Sequence, residues 1–198
     1  MPDMFTGIIQ SVGQLQSSEL IENDLKVIID TGTLDMSDVQ LGDSIAVDGI
    51  CLTVTAFDDK CMQADVSIET MNKTTVANWQ PGCRLNLEKS LSLGDRLGGH
   101  MVSGHVDAIT ECLNKQESGR SWIYEFAIPE HLYKYLVVKG SVTINGTSLT
   151  VNLIDQKRLS VNLVAHTLEN TNLGDVEAGD QVNIEIDMIA RYVEKMME

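Results

Sequence analysis

The apolar residues of this chain fall in short alternating runs. KVIID (Lys26–Asp30) and SIAVDGICLTVTAF (Ser44–Phe57) are rich in Val, Ile and Thr, and in the second the alternation turns about an Asp-Gly pair. Successive side chains on a strand point to opposite faces, so this is the pattern of half-buried strands, and Asp-Gly is a tight-hairpin signal. Such runs recur about every ten residues with Gly, Asn and Asp between them, which predicts a small barrel or sandwich. Closure into a barrel removes the exposed edges of so many short strands. Two stretches break the rhythm. PEHLYKYL (Pro129–Leu136) predicts a short helix with Pro129 in its first turn, with a counterpart around Leu34 to Val39. In the tail MIARYVEKMME, Ile189, Tyr192, Val193 and Met196 lie at i, i+3, i+4 and i+7, one stripe of a helix. A helix of about 11 residues is marginal alone. Its stripe therefore needs a partner, either its own domain or copies of itself in an oligomer.

The pattern also repeats as a unit. GDSIAVDGICLTV (Gly42–Val54) returns as KGSVTINGTSLTV (Lys139–Val151), 97 residues later. The same offset pairs MFTGII (Met4–Ile9) with MVSGHV (Met101–Val106), ETMNKT (Glu69–Thr74) with HTLENT (His166–Thr171), and GCRLNLE with GDQVNIE. From Ser44 to Glu88, 12 of 45 positions are identical to those one repeat on. This is a tandem duplication of one all-β unit. It predicts a first barrel over 4–95, a second over 96–187 and a helix over 188–198, with the boundary in the Gly-containing polar stretch Leu91–Gly99.

Charge narrows the function. Fourteen basic residues stand against 29 acidic ones, a net charge of -15, where a phosphate-binding surface needs clustered Lys and Arg. Aromatics at 5% do not make a stacking platform, so no nucleic-acid partner is expected. No apolar stretch is long enough to span a membrane, and MPDMFTGIIQ lacks the basic and apolar regions of a signal peptide. Cys51, Cys61, Cys83 and Cys112 form no C-x-x-C pair, so neither a zinc cluster nor a thioredoxin-like motif is supported. Free thiols without an export signal fit the cytoplasm. His100 and His105 are five apart, on opposite sides if the segment is a strand, so a metal pair is not expected and His100 reads as structural. A flavin-dependent reductase lacks support because no G-x-G-x-x-G follows a strand.

MFTGII, GICLTV, LGGHMVSGHVD, KGSVTINGTSLTV and VNIEID, in that order and over almost the whole chain, resemble riboflavin synthase. The resemblance implies two six-stranded Greek-key barrels plus a C-terminal helix, assembled as a homotrimer, with the first barrel of one subunit facing the second barrel of a neighbour. Each barrel would hold one molecule of 6,7-dimethyl-8-ribityllumazine. A four-carbon unit would pass from one molecule to the other, giving riboflavin and 5-amino-6-ribitylamino-uracil with no metal or redox cofactor, and lumazine synthase would be a pathway partner. The duplication fits such chemistry, because a reaction between two identical molecules needs two similar pockets held face to face.

By the same resemblance the ligand lies, in the first barrel, against Phe5, Gly7, Ile8 and Ile9, Cys51, Leu52 and Thr53, and Asp65, Val66, Ser67, Ile68, Glu69 and Thr70. In the second it lies against Gly104, His105 and Val106, Lys139, Ser148, Leu149 and Thr150, and Asn162, Leu163, Val164, Ala165, His166 and Thr167. Six residues are expected to carry the reaction. Cys51 and Ser148 occupy equivalent positions, with Cys51 binding or stabilising the nucleophile that adds to the donor ring. His105 stands where the first copy has Ile8, and its titration range suits removal of a proton from the substrate's acidic methyl. Lys139 replaces Gly42 and would hold a substrate oxygen or an anion. Asp187 replaces Ser90 and would orient His105 or a ribityl hydroxyl, and Ser44, shared with Ser141, completes the set. The chain departs from the family where ETMNKTTVANW stands for the usual ETLRRTNLG and Ala165 for Pro. The alternative is an antenna-type lumazine protein of luminous bacteria, which binds the chromophore without turnover. The CLTV and GGH-x3-GH segments present here favour the enzyme.

Overall fold

A computed structural model describes residues 3–155 and 157–197. Glu198, the last residue of the expected terminal helix, lies outside them. The first copy forms β1 (Ser11–Ile21), β2 (Asp24–Asp30), β3 (Ser44–Val47), β4 (Ile50–Phe57), β5 (Cys61–Val66) and β6 (Arg84–Lys89). They close in the order β1-β2-β5-β4-β3-β6, every pair antiparallel. The second copy forms β7 (Ala108–Ser118), β8 (Ser121–Ala127), β9 (Ser141–Ile144), β10 (Thr147–Ile154), β11 (Arg158–Val164) and β12 (Gln181–Ile186), and closes by the same circuit. The alternation holds in place: Leu52 and Val54 of β4 are buried while Thr53 and Thr55 face out. Each barrel has its own apolar core. In the second, Tyr124 stacks on Phe126 and donates its hydroxyl hydrogen to the Leu173 carbonyl at 2.9 Å, which leaves no polar end unpaired.

The barrels meet back to back at their two equivalent hairpin turns. Asp48–Gly49 and Asn145–Gly146 take positive φ at both residues, as a tight two-residue hairpin requires. A Cβ added to either glycine would sit 2.7 Å from the other's backbone nitrogen, so the turns approach as closely as backbones can. Buried amides surround them. Asn86 N–H and Asn172 Nδ2 each donate to Asp48 Oδ1 at 2.8 Å, and Asn183 Nδ2 donates to the Asp48 carbonyl at 2.9 Å. Asn172 N–H and Thr75 N–H cross to Asn86 and Asn183 at 2.7 and 2.8 Å. Asp48 is the one carboxyl in this amide network, and burial pushes its pKa up to about 7.

The helices meet expectation in part. The expected short helix is present as a 3₁₀ helix over Glu130–Tyr135 that follows Pro129, whereas its counterpart at Leu34–Val39 is irregular chain with one turn at 37–38, although Leu34, Met36 and Val39 are still buried. Two short helices occupy equivalent places after the fifth strand of each barrel, α1 (Ile68–Lys73) and α2 (Ala165–Asn170). The terminal helix α3 (Met188–Met197) starts on Asp187, whose Oδ1 accepts from Ile189 N–H at 2.9 Å. Arg191 pairs with Asp107 and Glu194 with Lys134. Its apolar stripe stays open: Ile189, Tyr192, Val193 and Met196 are 52%, 66%, 50% and 86% exposed. Among the described residues no helix is long and apolar enough to cross a membrane.

Candidate active site

Each copy begins with a short extended segment, and the two segments pair with one another. Phe5 and Val102 exchange backbone hydrogen bonds of 2.8 and 3.0 Å. Beyond this bridge the chains cross. The Gly7 carbonyl accepts from Ser148 N–H of the second barrel at 2.8 Å, and the Gly104 carbonyl accepts from Cys51 N–H of the first barrel at 2.8 Å. The contact demands glycine: φ is +74° at Gly104, and a Cβ there would lie 2.7 Å from that of Cys51. This corrects the expected grouping. Gly7 lies against the second barrel's Ser148, while Gly104, His105 and Val106 line one cleft with the first barrel's Cys51.

The first site therefore lies on the outer face of the first barrel. A cleft of about 250 Å³ is lined by Ile50 and Cys51 from β4, Glu69, Thr70, Lys73 and Thr74 from the α1 region, and Gly104, His105 and Val106 from the crossing loop. Thr53 is exposed on β4 and Asp65 on the neighbouring β5. Ser67 caps α1 by accepting from Thr70 N–H at 3.3 Å. Beyond His105 the space continues into a cavity of about 650 Å³ that also touches Asp107, Arg191 and Tyr192. Five of the expected residues turn their side chains inward. Leu52 and Val66 point into the first core, and Leu149 and Leu163 into the second, because strand alternation puts every second residue inside. Phe5 is fully buried with Ala46 and Val102 behind Cys51, so it supports the cleft without walling it. Ile68 stands exposed on α1.

Burial raises the pKa of the half-buried Cys51 thiol, a hydrogen bond with Ser44 partly opposes this, and the charges of Asp3 and Glu185 add to the rise. Cys51 is thus a neutral thiol at working pH, a hydrogen-bonding group rather than a thiolate. Ser44, which also donates to Asp3 Oδ2 at 2.8 Å, is fixed beside it.

The second site is built from the equivalent surface with different chemistry. Ser148 is half-buried, Thr150, Asn162, Val164, Ala165 and His166 are exposed, and Thr167 is half-buried. Ser148 Oγ lies 2.8 Å from His100 Nδ1. Burial lowers the pKa of His100, with the charge of Asp187 opposing, so its ring is neutral near pH 7 and able to accept a proton. The charge of Asp187 thus reaches His100, a partner that the expectation of His105 or a ribityl hydroxyl did not include. Lys139 holds a φ of +69° at the place where Gly42 takes +93°. A lysine kept in a region that favours glycine carries backbone strain, and such strain gathers at functional positions. The sequence pattern also passes over Lys73. It lies four residues after Glu69 and pairs with it at 3.3 Å, and the Ser67 cap was the available signal for the short helix that puts it in the cleft.

The model of the lumazine binding domain matches residues 6–90 and again 103–187. The two barrels are thus tandem lumazine-binding domains. Curated relatives include riboflavin synthase of Photobacterium leiognathi, 45% identical over 195 residues that cover 98% of this chain and 89% of that protein. Riboflavin synthase of Brucella abortus (strain 2308) is 40% identical over 200 residues, covering 98% of each. The chain belongs to the riboflavin synthase family, and so to a family of enzymes. Among solved structures it is similar to LumP complexed with 6,7-dimethyl-8-(1'-D-ribityl) lumazine, at a TM-score of 0.82 and 25% identity, covering 91% of this chain and 98% of that one. LumP complexed with riboflavin gives a TM-score of 0.85 at 25% identity, covering 92% and 98%.

Proposed function

We propose that the chain converts two molecules of 6,7-dimethyl-8-ribityllumazine into riboflavin and 5-amino-6-ribitylamino-uracil, in the cytoplasm and without metal or redox cofactor. The observation that carries this reading is the crossing of the loops, which gives two similar sites different equipment. The first has Cys51, Lys73 and His105; the second has Ser148 beside His100, and the family resemblance adds Lys139 to it. The reaction requires a proton to leave the methyl of one lumazine and a nucleophile to add to the ring of another. His105 accepts the proton in the first site. In the second, His100 Nδ1 lies 2.8 Å from Ser148 Oγ, and in the tautomer with its proton on Nε2 the neutral ring accepts from that hydroxyl and so readies it. The four carbons lost by one molecule are gained by the other, so no external oxidant enters the balance. The test is direct: with the lumazine as sole reactant, and no reductant or metal, absorbance should show one riboflavin formed for two lumazines consumed. Binding without turnover would instead support the antenna reading.

We assign the open stripe of α3 to a homotrimer that brings the first barrel of one copy against the second barrel of the next, and lumazine synthase to the preceding step. Val193 is half-exposed on that stripe. Val193→Asp would bury a charge in the joint and should shift the protein from trimer to monomer in sedimentation. Turnover should fall in step by about tenfold or more, because the paired sites separate. A monomeric parent with full activity rules the trimer out.

A further inference from the structure

Each copy carries a glutamate at the same strand position, Glu88 on β6 and Glu185 on β12, exposed by only 3% and 2%. Each holds the first loop of its own copy. Glu88 accepts from Thr6 N–H at 2.7 Å and Thr6 Oγ1 at 2.6 Å through one oxygen, and from Gly7 N–H at 2.9 Å through the other. Glu185 accepts from Ser103 N–H at 2.8 Å and Ser103 Oγ at 2.7 Å through one oxygen. Its second oxygen, Oε2, is buried with no hydrogen-bond partner among the described residues. The bond that Gly7 gives to Glu88 is therefore unmade between Gly104 and Glu185. The next rung is longer on this side too: His105 N–H meets Ser103 Oγ at 3.3 Å, where Ile8 N–H meets Thr6 Oγ1 at 3.1 Å. A buried acceptor without a donor is unfavourable, so the loop has a bond to gain by moving. Burial raises the pKa of Glu185, bonds from Ser103 oppose this, Asp107 adds to the rise and His105 counters it.

Because the loops cross, the loop that Glu185 holds is the one that carries His105 over Cys51. We propose that Glu185 is the positioning residue for His105, and that its unpartnered oxygen is the docking point for Gly104 N–H, taken up when ligand fills the first site. The loop of Thr6 to Ile8, whose rungs are already made, stays fixed. The ligand, though not the clamp, rests on the function proposed above. One of the two sites thus closes on its occupant while the other is preformed.

Amide exchange with riboflavin as the probe tests this without requiring turnover. In the parent, saturating riboflavin should slow exchange across residues 103–106 by about tenfold or more and leave 6–9 within about twofold. Glu185→Gln keeps an oxygen for Ser103 but places an NH₂, a donor, where Gly104 needs an acceptor. It should abolish the slowing and lower kcat by about a hundredfold. Riboflavin affinity should weaken by no more than about tenfold, the limit that linkage to loop closure allows. Ser103→Thr carries the first copy's side chain and should preserve both protection and kcat. Full protection retained in Glu185→Gln, equal slowing in both segments, or a kcat loss matched by loss of folded protein overturns the proposal. Absence of turnover in the parent overturns the proposed reaction alone, since the exchange result stands apart from it.

Discussion

His105→Ala should lower kcat by about a hundredfold or more while lumazine affinity changes by less than about threefold, a general base being worth roughly that much. The first site offers few other proton acceptors. Glu69 is engaged with Lys73 at 3.3 Å, and burial keeps the Cys51 thiol protonated. His105 is exposed at the end of the crossing loop, where an imidazole can both reach substrate and return its proton to water. His105→Gln, which keeps hydrogen bonding without titration, should fail to restore the rate. Steady-state kcat and a fluorescence titration of ligand separate the two effects, and an unchanged kcat removes His105 from the proton transfer.

The second large effect concerns the junction of the barrels. Asp48→Asn should make the protein more stable at pH 8 by up to about 4 kcal/mol, with little effect near pH 4. The sign follows from the direction of the shift. A carboxyl raised from 3.8 to about 7 on folding is bound to its proton more tightly in the folded state than in the unfolded chain. Its contribution is complete below the unfolded pKa and is lost as pH climbs from about 4 to about 7. Asparagine should fit without rearrangement, since the second copy already has one. Asn145 takes a φ of 44° where Asp48 takes 48°, and its Oδ1 accepts from Asn183 N–H at 2.9 Å as Asp48 Oδ1 does from Asn86 N–H at 2.8 Å. Denaturant unfolding of parent and variant at equal protein concentration, at pH 5 and pH 8, measures the difference directly. Parallel pH dependences would mean that Asp48 is ionised in the folded protein throughout.

The fold was legible because period-two alternation and the 97-residue repeat both report on local chain geometry. Every strand of the second barrel begins where the offset places it. The short helices α1 and α2 were not, because six residues give fewer than two turns for a helical period to show. Chemistry was legible by residue type and only partly by place. Cys51 and Ser148 stand at equivalent half-buried positions as their motifs suggest. Which loop covers which site was not readable at all. A duplicated sequence is unchanged in pattern whether each first segment serves its own barrel or the other one, so the pairing of Gly104 with Cys51 is purely tertiary information. The bond between His100 and Ser148 has the same origin, since the two are 48 residues apart. Glu88 and Glu185 are among the identical repeat positions, and a glutamate kept in both copies of a strand was a signal open to reading.

The crossed loops also bear on how such a molecule can arise and diverge. Two copies that already reach across one another resemble a dimer of single barrels whose chains were later joined, with the interface older than the fusion. Once joined, a change in the opening segment of one copy alters the pocket of its neighbour and leaves its own barrel untouched. The pair Ile8 and His105 is a difference of this kind: the histidine stands in the opening segment of one half and lines the pocket of the other. Specialisation of the two halves could then proceed by editing a loop, with neither barrel having to be rebuilt.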